Sequence, residues 1–206
     1  CRILEYLNEK FPRLTRVTMY ANGSSVLSKT PEALERLHKL KLLLVYMGLE
    51  SGNEDVLRLA GKDDTAAHMT EAVRRLRTSG IKTSVMILAG IGGRRFSDGH
   101  VRDTASVLKE MQPEILSLLR FIEVPGLKMY EGYEPLTEYG SVREMRDLIA
   151  GLELASTVFR ANHSSVPFPL EGRFPKDRER MTALLDQVLA EGSLDRNGAG
   201  KVPLFL

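Results

Sequence analysis

The chain has 206 residues, which is enough for one domain with a buried core, and 43% of them are apolar while 27% are charged. That mixture is typical of a globular protein, and the apolar runs are too short to cross a bilayer. The formal net charge of +2 comes from 29 basic and 27 acidic residues spread along the chain, which gives no indication of a nucleic-acid partner.

The first predicted elements are a helix, a strand and a second helix. An amphipathic segment at 3–10 predicts the first helix, and RVTMYAN at 16–22 predicts the strand because it begins with β-branched residues and stops at glycine and serine. Thr30 is the predicted N-cap of the second helix, which has Pro31 in its first position and runs to about Lys41.

The continuous apolar run at 42–51 predicts a second strand. A strand without polar alternation is buried on both faces, as in a parallel sheet covered by helices. Asn53 and Thr65 are the predicted N-caps of two consecutive helices at 54–60 and 66–79.

Two further strands continue the alternation of strand and helix. They are predicted at 81–93 and 114–126, with a helix at 97–111 between them. Four such alternations indicate a parallel sheet with right-handed crossovers. After the fourth strand the alternation ends, and the last two helices are predicted at 141–159 and 175–191.

Ligands of parallel α/β sheets bind at the carboxyl ends of the strands, where loops and helix N-termini meet. The segments predicted to lie there are 22–25, 50–52, 90–93 and 120–125. Glu50 therefore belongs at a predicted site and not in the core.

The single cysteine, Cys1, excludes an internal disulfide and, together with the lack of a signal-peptide pattern, predicts a cytoplasmic protein. The sequence begins without methionine and inside a predicted helix, so we expect it to be part of a longer protein.

Five segments, in this order and spacing, resemble the later part of the barrel of radical S-adenosylmethionine (radical SAM) enzymes, in the branch related to oxygen-independent coproporphyrinogen oxidase. The resemblance covers about residues 3–190, and its most specific part is Gly-Leu-Glu-Ser-Gly followed by Lys-x-x-Thr. The segments are RVTMYAN, LVYMGLESGNEDVLRLAGKDDT, EAVRRLRTSGIKTSVMILAGIGG, HVRDTASVLKEMQPEILSLLRF and VPGLKMYE.

The resemblance implies an α/β fold, a partial TIM-type barrel of four parallel βα units at 1–126, with a C-terminal helical extension at 127–206. Enzymes of this family hold a 4Fe-4S cluster through Cys-x-x-x-Cys-x-x-Cys and reduce S-adenosylmethionine to a 5′-deoxyadenosyl radical. One cysteine cannot hold such a cluster. We therefore expect the chain to contribute S-adenosylmethionine and substrate binding to a parent enzyme, and to be inactive alone.

The resemblance also implies cofactor contacts at the strand ends. Glu50 matches a position that hydrogen-bonds the ribose or amino group, for which an acceptor-only carboxylate is suited, and the alternative is an internal ion pair with Lys62. Lys62 matches a basic residue that reaches the cofactor's carboxylate, and the alternative is a surface lysine. Ser51 and Asn22 are either site groups or ordinary turn residues.

In the family, the loop at 90–93 lies along the cofactor. Its glycines, beginning with Gly90, permit a close backbone approach, and Ile87 and Ile91 are predicted to flank the adenine. A structural barrel turn is the alternative. A phosphate-binding P-loop is excluded because no Lys-Ser/Thr pair follows.

Two further segments contain a histidine near other polar residues. His100 and Asp103 are interpreted as a local hydrogen bond and not as a metal site. The Asn162-His163-Ser164 stretch resembles a C-terminal segment of the same branch, with no chemical role assigned.

A second hypothesis is a cluster-free binding or scaffold module with the same sheet. An upstream Cys-x-x-x-Cys-x-x-Cys would favour the enzyme, and a natural start near Cys1 would favour the module. The predicted partners are a small-molecule cofactor and a substrate, with no membrane. The unpaired edge of the strand at 16–22 also predicts self-association.

Overall fold

The structure is a computed structural model that describes residues 1–123 and 129–200. The described residues form one six-stranded sheet in the order β1-β2-β3-β4-β5-β6. The first five strands pair in parallel, and β6 pairs antiparallel with β5. The strands are β1 (Val17–Tyr20), β2 (Leu42–Glu50), β3 (Lys82–Ala89), β4 (Ile115–Arg120), β5 (Val158–Ala161) and β6 (Leu170–Arg173).

Helices connect the parallel strands, as a barrel of βα units requires. They are α1 (Arg2–Lys10), α2 (Gly23–Leu27), α3 (Pro31–Lys39), α4 (Glu54–Leu59), α5 (Ala66–Thr78), α6 (Gly93–Met111), α7 (Glu138–Gly151) and α8 (Arg178–Ala190). No helix in the described ranges is long and apolar enough to cross a membrane.

Local side-chain caps determine where several helices begin. In each case a side-chain oxygen accepts a hydrogen bond from the backbone N–H three residues further on, which satisfies a donor that the helix itself leaves unpaired. The predicted caps Thr30, Asn53 and Thr65 are confirmed. Asn22 and Thr137 cap α2 and α7 in the same way.

The two faces of the sheet differ in burial. Val45, Met47 and Leu49 of β2 are at most 1% exposed and belong to the apolar core that also contains α5. Burying each such side chain stabilises the fold by about 1.5–3 kcal/mol. The half-buried residues of the central strands form the opposite face, called the open face below: Tyr46, Gly48 and Glu50 of β2 and Met86 and Leu88 of β3.

The predicted partial barrel of four parallel βα units is confirmed, with β1 at its edge. The helix predicted at 141–159 is wrong in its second half, because it ends at Gly151 and 158–161 form β5. Leu152 is already extended, with φ −74° and ψ 124°, and Phe159 and Ala161 are buried where β5 pairs with β4.

Two other boundaries differ from the sequence prediction. The short helix α2 was not predicted, and α6 begins at Gly93 instead of residue 97. The predicted domain boundary between residues 126 and 127, and the predicted end of the fourth strand at 124–126, lie outside the described residues.

Candidate functional site

Glu50 ends β2 in an unusual backbone conformation. Its φ is +63°, in the left-handed region that costs a non-glycine residue about 1–2 kcal/mol. The pairing register between β2 and β3 shifts between Gly48 and Glu50, and a bulge of this kind redirects a side chain at a strand end. Strained residues held by their surroundings are concentrated at functional sites.

Gly48 provides the space that the Glu50 carboxylate occupies. A Cβ atom placed at Gly48 would collide with Oε1 of Glu50 and lie 3.7 Å from Nζ of Lys62. Both charged groups therefore lie against the β2 backbone on the open face, in a position that only glycine permits.

Glu50 and Lys62 form a half-buried ion pair. Nζ of Lys62 lies 3.5 Å from Oε1 of Glu50, and the two side chains are 31% and 20% exposed, respectively. Burial raises the pKa of Glu50, while the charge of Lys62 opposes that shift without cancelling it. The separation exceeds the 2.7–2.9 Å of a short charge-assisted hydrogen bond, so the carboxylate retains capacity for a stronger donor.

Ser51 has no exposed surface. Its Oγ accepts a hydrogen bond from the N–H of Asn53 at 3.0 Å and lies 2.8 Å from Nδ1 of His100. The hydrogen bond expected between His100 and Asp103 is wrong, because His100 contacts Ser51 and Thr104, whereas Asp103 accepts from Asn53.

Asp64 is a buried carboxylate that the sequence analysis did not single out. It accepts hydrogen bonds from the N–H groups of Gly23 and Ser24 at 2.7 and 2.9 Å, and from the Ser24 hydroxyl at 2.6 Å. It thereby joins the first turn of α2 to the segment after α4.

The loop at 90–93, called the glycine loop below, is buried. Gly90 and Gly93 have φ values of +83° and +58°, which glycine adopts readily. The Tyr133 hydroxyl donates to the Gly90 carbonyl at 2.8 Å, and the Tyr130 hydroxyl donates to the Gly92 carbonyl at 2.8 Å. Side chains from beyond β4 therefore hold the loop in place.

The two predicted adenine contacts lie away from the open face. Ile87 is fully buried in the core, and Ile91 is 3% exposed. Met86 and Leu88 are the β3 residues on the open face. Of the six predicted cofactor residues, the structure brings Glu50 and Lys62 together at an accessible position, and the other four are buried.

Arg120 lies at the carboxyl end of β4 and is 7% exposed. Its Nη1 atom has no hydrogen-bond partner within residues 1–123 and 129–200. Burial lowers the pKa of this guanidinium, although Glu138 and Tyr133 oppose the shift. Its backbone N–H donates to Oγ of Ser165 at 3.1 Å, which places the segment after β5 beside the end of β4.

The described residues do not fit an iron–sulfur cluster. Cys1 is exposed and is the only cysteine of the sequence. Across the described ranges, no group of three or more histidine, cysteine, aspartate or glutamate side chains is placed to hold a metal ion. A 4Fe-4S cluster requires several thiolates, so no step can be derived through one here.

Comparison with known families gives one match, to the Radical SAM superfamily over residues 2–108, slightly more than half of the chain. No curated protein matches the chain.

Solved structures with a similar fold include Elp3 from the archaeon Methanocaldococcus infernus, with a TM-score of 0.59 and 12% identity over 89% of this chain and 43% of that one. Coproporphyrinogen III oxidase (HemN) from Escherichia coli, a radical SAM enzyme, has a TM-score of 0.61 and 15% identity over 72% of this chain and 35% of that one. Methylornithine synthase (PylB) has a TM-score of 0.53 and 12% identity over 96% of this chain and 63% of that one. The chain thus spans less than two thirds of each of these proteins, and at such identities the likeness shows the fold alone.

Proposed function

The chain belongs to the radical SAM superfamily, and on this premise we propose that it supplies S-adenosylmethionine and substrate binding to a radical SAM enzyme. The observation that carries the proposal is the Glu50–Lys62 pair, a carboxylate and an ammonium held together on the open face at the end of β2. S-adenosylmethionine presents the complementary groups, which are a carboxylate, an ammonium and a ribose diol.

Each charged side chain has a proposed partner. Lys62 binds the cofactor's carboxylate, and Glu50 accepts hydrogen bonds from the ribose hydroxyls or the ammonium. Since burial already raises the pKa of Glu50, new donors from the cofactor would stabilise its charged form. Ser51 and Ile87 support the site from behind, and Gly90 and Ile91 form its wall.

The cluster and the reaction belong to a longer protein in this proposal. A 4Fe-4S cluster, when bound, supplies the electron that cleaves S-adenosylmethionine, and the described residues do not fit it. Nη1 of Arg120, which has no partner among the described residues, would be satisfied by an anionic group of the substrate.

The test is S-adenosylmethionine binding by the purified chain, measured by calorimetry. We expect Glu50→Gln to weaken binding about tenfold or more, because one charge-assisted hydrogen bond contributes about 1.5–3 kcal/mol. Glu71→Gln is the matched control, since Glu71 forms ion pairs with Arg74 and Arg75 of its own helix α5 and with no other group in the described part of the chain. Binding that Glu50→Gln leaves unchanged would contradict the site, and a wild-type chain without affinity would favour the cluster-free module.

A further inference from the structure

A buried polar cluster lies behind the carboxyl ends of β2 and β3. Ser51 from the turn after β2, His100 from α6 and Glu144 from α7 are exposed by only 0%, 1% and 2%. Polar groups removed from water in this way are costly unless they hydrogen-bond to one another. The cluster joins three elements that are distant in sequence.

Two hydroxyl groups contact Nδ1 of His100. Ser51 Oγ accepts from the Asn53 N–H and lies 2.8 Å from Nδ1. Thr104 Oγ1 accepts from the Gly52 N–H at 2.8 Å and lies 3.4 Å from the same Nδ1. A hydroxyl oxygen has a second lone pair, so Ser51 pairs with Nδ1 in either tautomer of the ring.

Nε2 of His100 faces Glu144, at 3.9 Å from Oε1. Burial lowers the pKa of His100 to about 4, although Asp103 opposes the shift, so the imidazole is neutral at neutral pH. At 3.9 Å a neutral imidazole forms neither a hydrogen bond nor an ion pair with Glu144, so His100 contacts the carboxyl group by packing alone.

Glu144 binds the glycine loop directly. Its Oε1 accepts the N–H of Gly90 at 2.5 Å, and its Oε2 accepts the hydroxyl of Ser97. The Gly90 carbonyl is bound by Tyr133, so both backbone polar groups of Gly90 are held by side chains. No regular secondary structure fixes this residue, whose φ is +83°.

The charges around Glu144 are few. Burial raises its pKa to about 7, against the hydrogen bonds from Ser97 and Gly90. Arg143 lowers the pKa and Asp147 raises it, both from the same helix, while His100 and Tyr133 face the carboxyl group from other elements.

We propose that Glu144 is a positioning residue for the cofactor site, a role that rests on the proposed function. Its carboxylate accepts the Gly90 N–H and thereby holds the glycine loop at the carboxyl end of β3, which pairs with β2 beside the end where Glu50 lies. His100 hydrogen-bonds Ser51 in the turn after β2 and packs against the same carboxyl group.

The experiment measures the loop and the ligand separately. In the chain without cofactor, Glu144→Ala should accelerate amide hydrogen exchange about tenfold or more at residues 90–93, because Gly90 loses its acceptor. S-adenosylmethionine affinity should fall with it. Glu144→Gln retains an acceptor for Gly90 and should restore slow exchange, while Asp147→Ala, an exposed residue one turn away on α7, is the control.

The outcomes distinguish the positioning role of Glu144 from the proposed binding of S-adenosylmethionine. In Glu144→Ala, amide exchange that rises equally throughout the chain, or that does not rise at 90–93, would overturn the positioning role. Unchanged S-adenosylmethionine affinity in a Glu144→Ala chain whose loop exchanges faster would also overturn it. If Glu144→Ala does not fold, a protection factor at 90–93 that changes with pH in wild type and stays constant in Glu144→Gln supports the role, and protection factors with the same pH dependence in both overturn it. A wild-type chain that never binds S-adenosylmethionine would refute the proposed function alone.

Discussion

Glu50 ends β2 and Glu144 lies in the middle of α7, and burial raises the pKa of both carboxyl groups. Their surroundings differ. Glu50 faces Lys62 on the open face and can exchange that contact for a ligand, whereas Glu144 is enclosed and binds backbone. One carboxylate is therefore suited to recognition and the other to holding the protein around it.

Gly48 allows a test of the recognition role that does not touch a charge. In Gly48→Ala the new Cβ would occupy the place of the Glu50 carboxylate. The carboxylate is the far end of a flexible side chain and can move, so we expect the free energy of unfolding to change by less than about 1 kcal/mol.

S-adenosylmethionine affinity of Gly48→Ala should nevertheless fall as far as in Glu50→Gln. Gly151→Ala is the control, because its Cβ would lie in ordinary contact, 3.6 Å from the Cβ of Ala105. Calorimetric affinity and urea unfolding on both variants check this, and full affinity in Gly48→Ala would show that the carboxylate position is unimportant.

His100 and Glu144 should have opposite effects on stability as pH changes. Folded Glu144 keeps its proton between its ordinary pKa of 4.5 and about 7, so raising pH through that window destabilises the fold. Folded His100 stays deprotonated between its ordinary pKa of 6.5 and about 4, so lowering the pH through that window destabilises the fold. From pH 4.5 to 6.5 the two contributions oppose each other.

Glu144→Gln should remove one of these contributions and leave the other. Its free energy of unfolding should then rise with pH from 4.5 to 6.5 more steeply than that of wild type, by about 1.4 kcal/mol per pH unit. Urea unfolding at pH 5, 6 and 7 measures the two slopes. Parallel pH dependences in variant and wild type would contradict the raised pKa of Glu144.

The secondary structure elements differ in how far the sequence predicts them. Helices capped by Thr30 or Asn53 were predicted because a cap is a local signal. The strand β5 has only four residues, and its burial depends on pairing with β4, which lies about 40 positions earlier in the chain. The residues before β5 have apolar side chains at helical spacing, so the sequence predicted a helix that continued to residue 159 instead of ending at Gly151.

Ser165 is expected to stabilise the junction between β4 and β5. It is 2% exposed, and its hydroxyl accepts the Arg120 N–H and contacts Nδ1 of His163 at 2.8 Å. Ser165→Ala leaves a buried donor unpaired, so we expect a loss of about 1–3 kcal/mol in the free energy of unfolding. Ser164→Ala, at the exposed neighbour, should change it by less than about 0.5 kcal/mol. Equal losses in chemical denaturation would refute this role.

Across the whole molecule, the sequence predicts features marked by local motifs better than contacts between distant segments. The resemblance predicted cofactor contacts for Glu50 and Lys62, with an internal ion pair as the alternative. The structure contains that ion pair at 3.5 Å, and the cofactor contacts stay a prediction. The hydrogen bonds between Ser51 and His100 and between Gly90 and Glu144 were missed, because they join residues 49 and 54 positions apart and no local pattern marks them. Buried networks of this kind become visible only when tertiary packing is known.

The edge of the sheet gives the last prediction. Within the described residues β1 pairs only with β2, and Met19 and Tyr20 are 45% and 72% exposed. The N–H groups of Val17 and Ala21 donate to Lys41 and Tyr46, so by alternation those of Thr18 and Tyr20 point away from β2. Free donors and apolar side chains on one edge favour pairing with another strand.

We expect two copies of the chain to associate through β1, since a two-fold arrangement pairs the same edge with itself. Sedimentation should show a dimer whose population rises with concentration. Thr18→Lys together with Tyr20→Lys should yield monomer, because charges on an edge strand oppose pairing. Tyr6→Lys is the control, since it removes a 58% exposed aromatic side chain from α1 and leaves the edge intact. A wild-type chain that remains monomeric at every concentration would contradict the prediction, and a dimer dispersed equally by Tyr6→Lys would place the contact on α1 instead of β1.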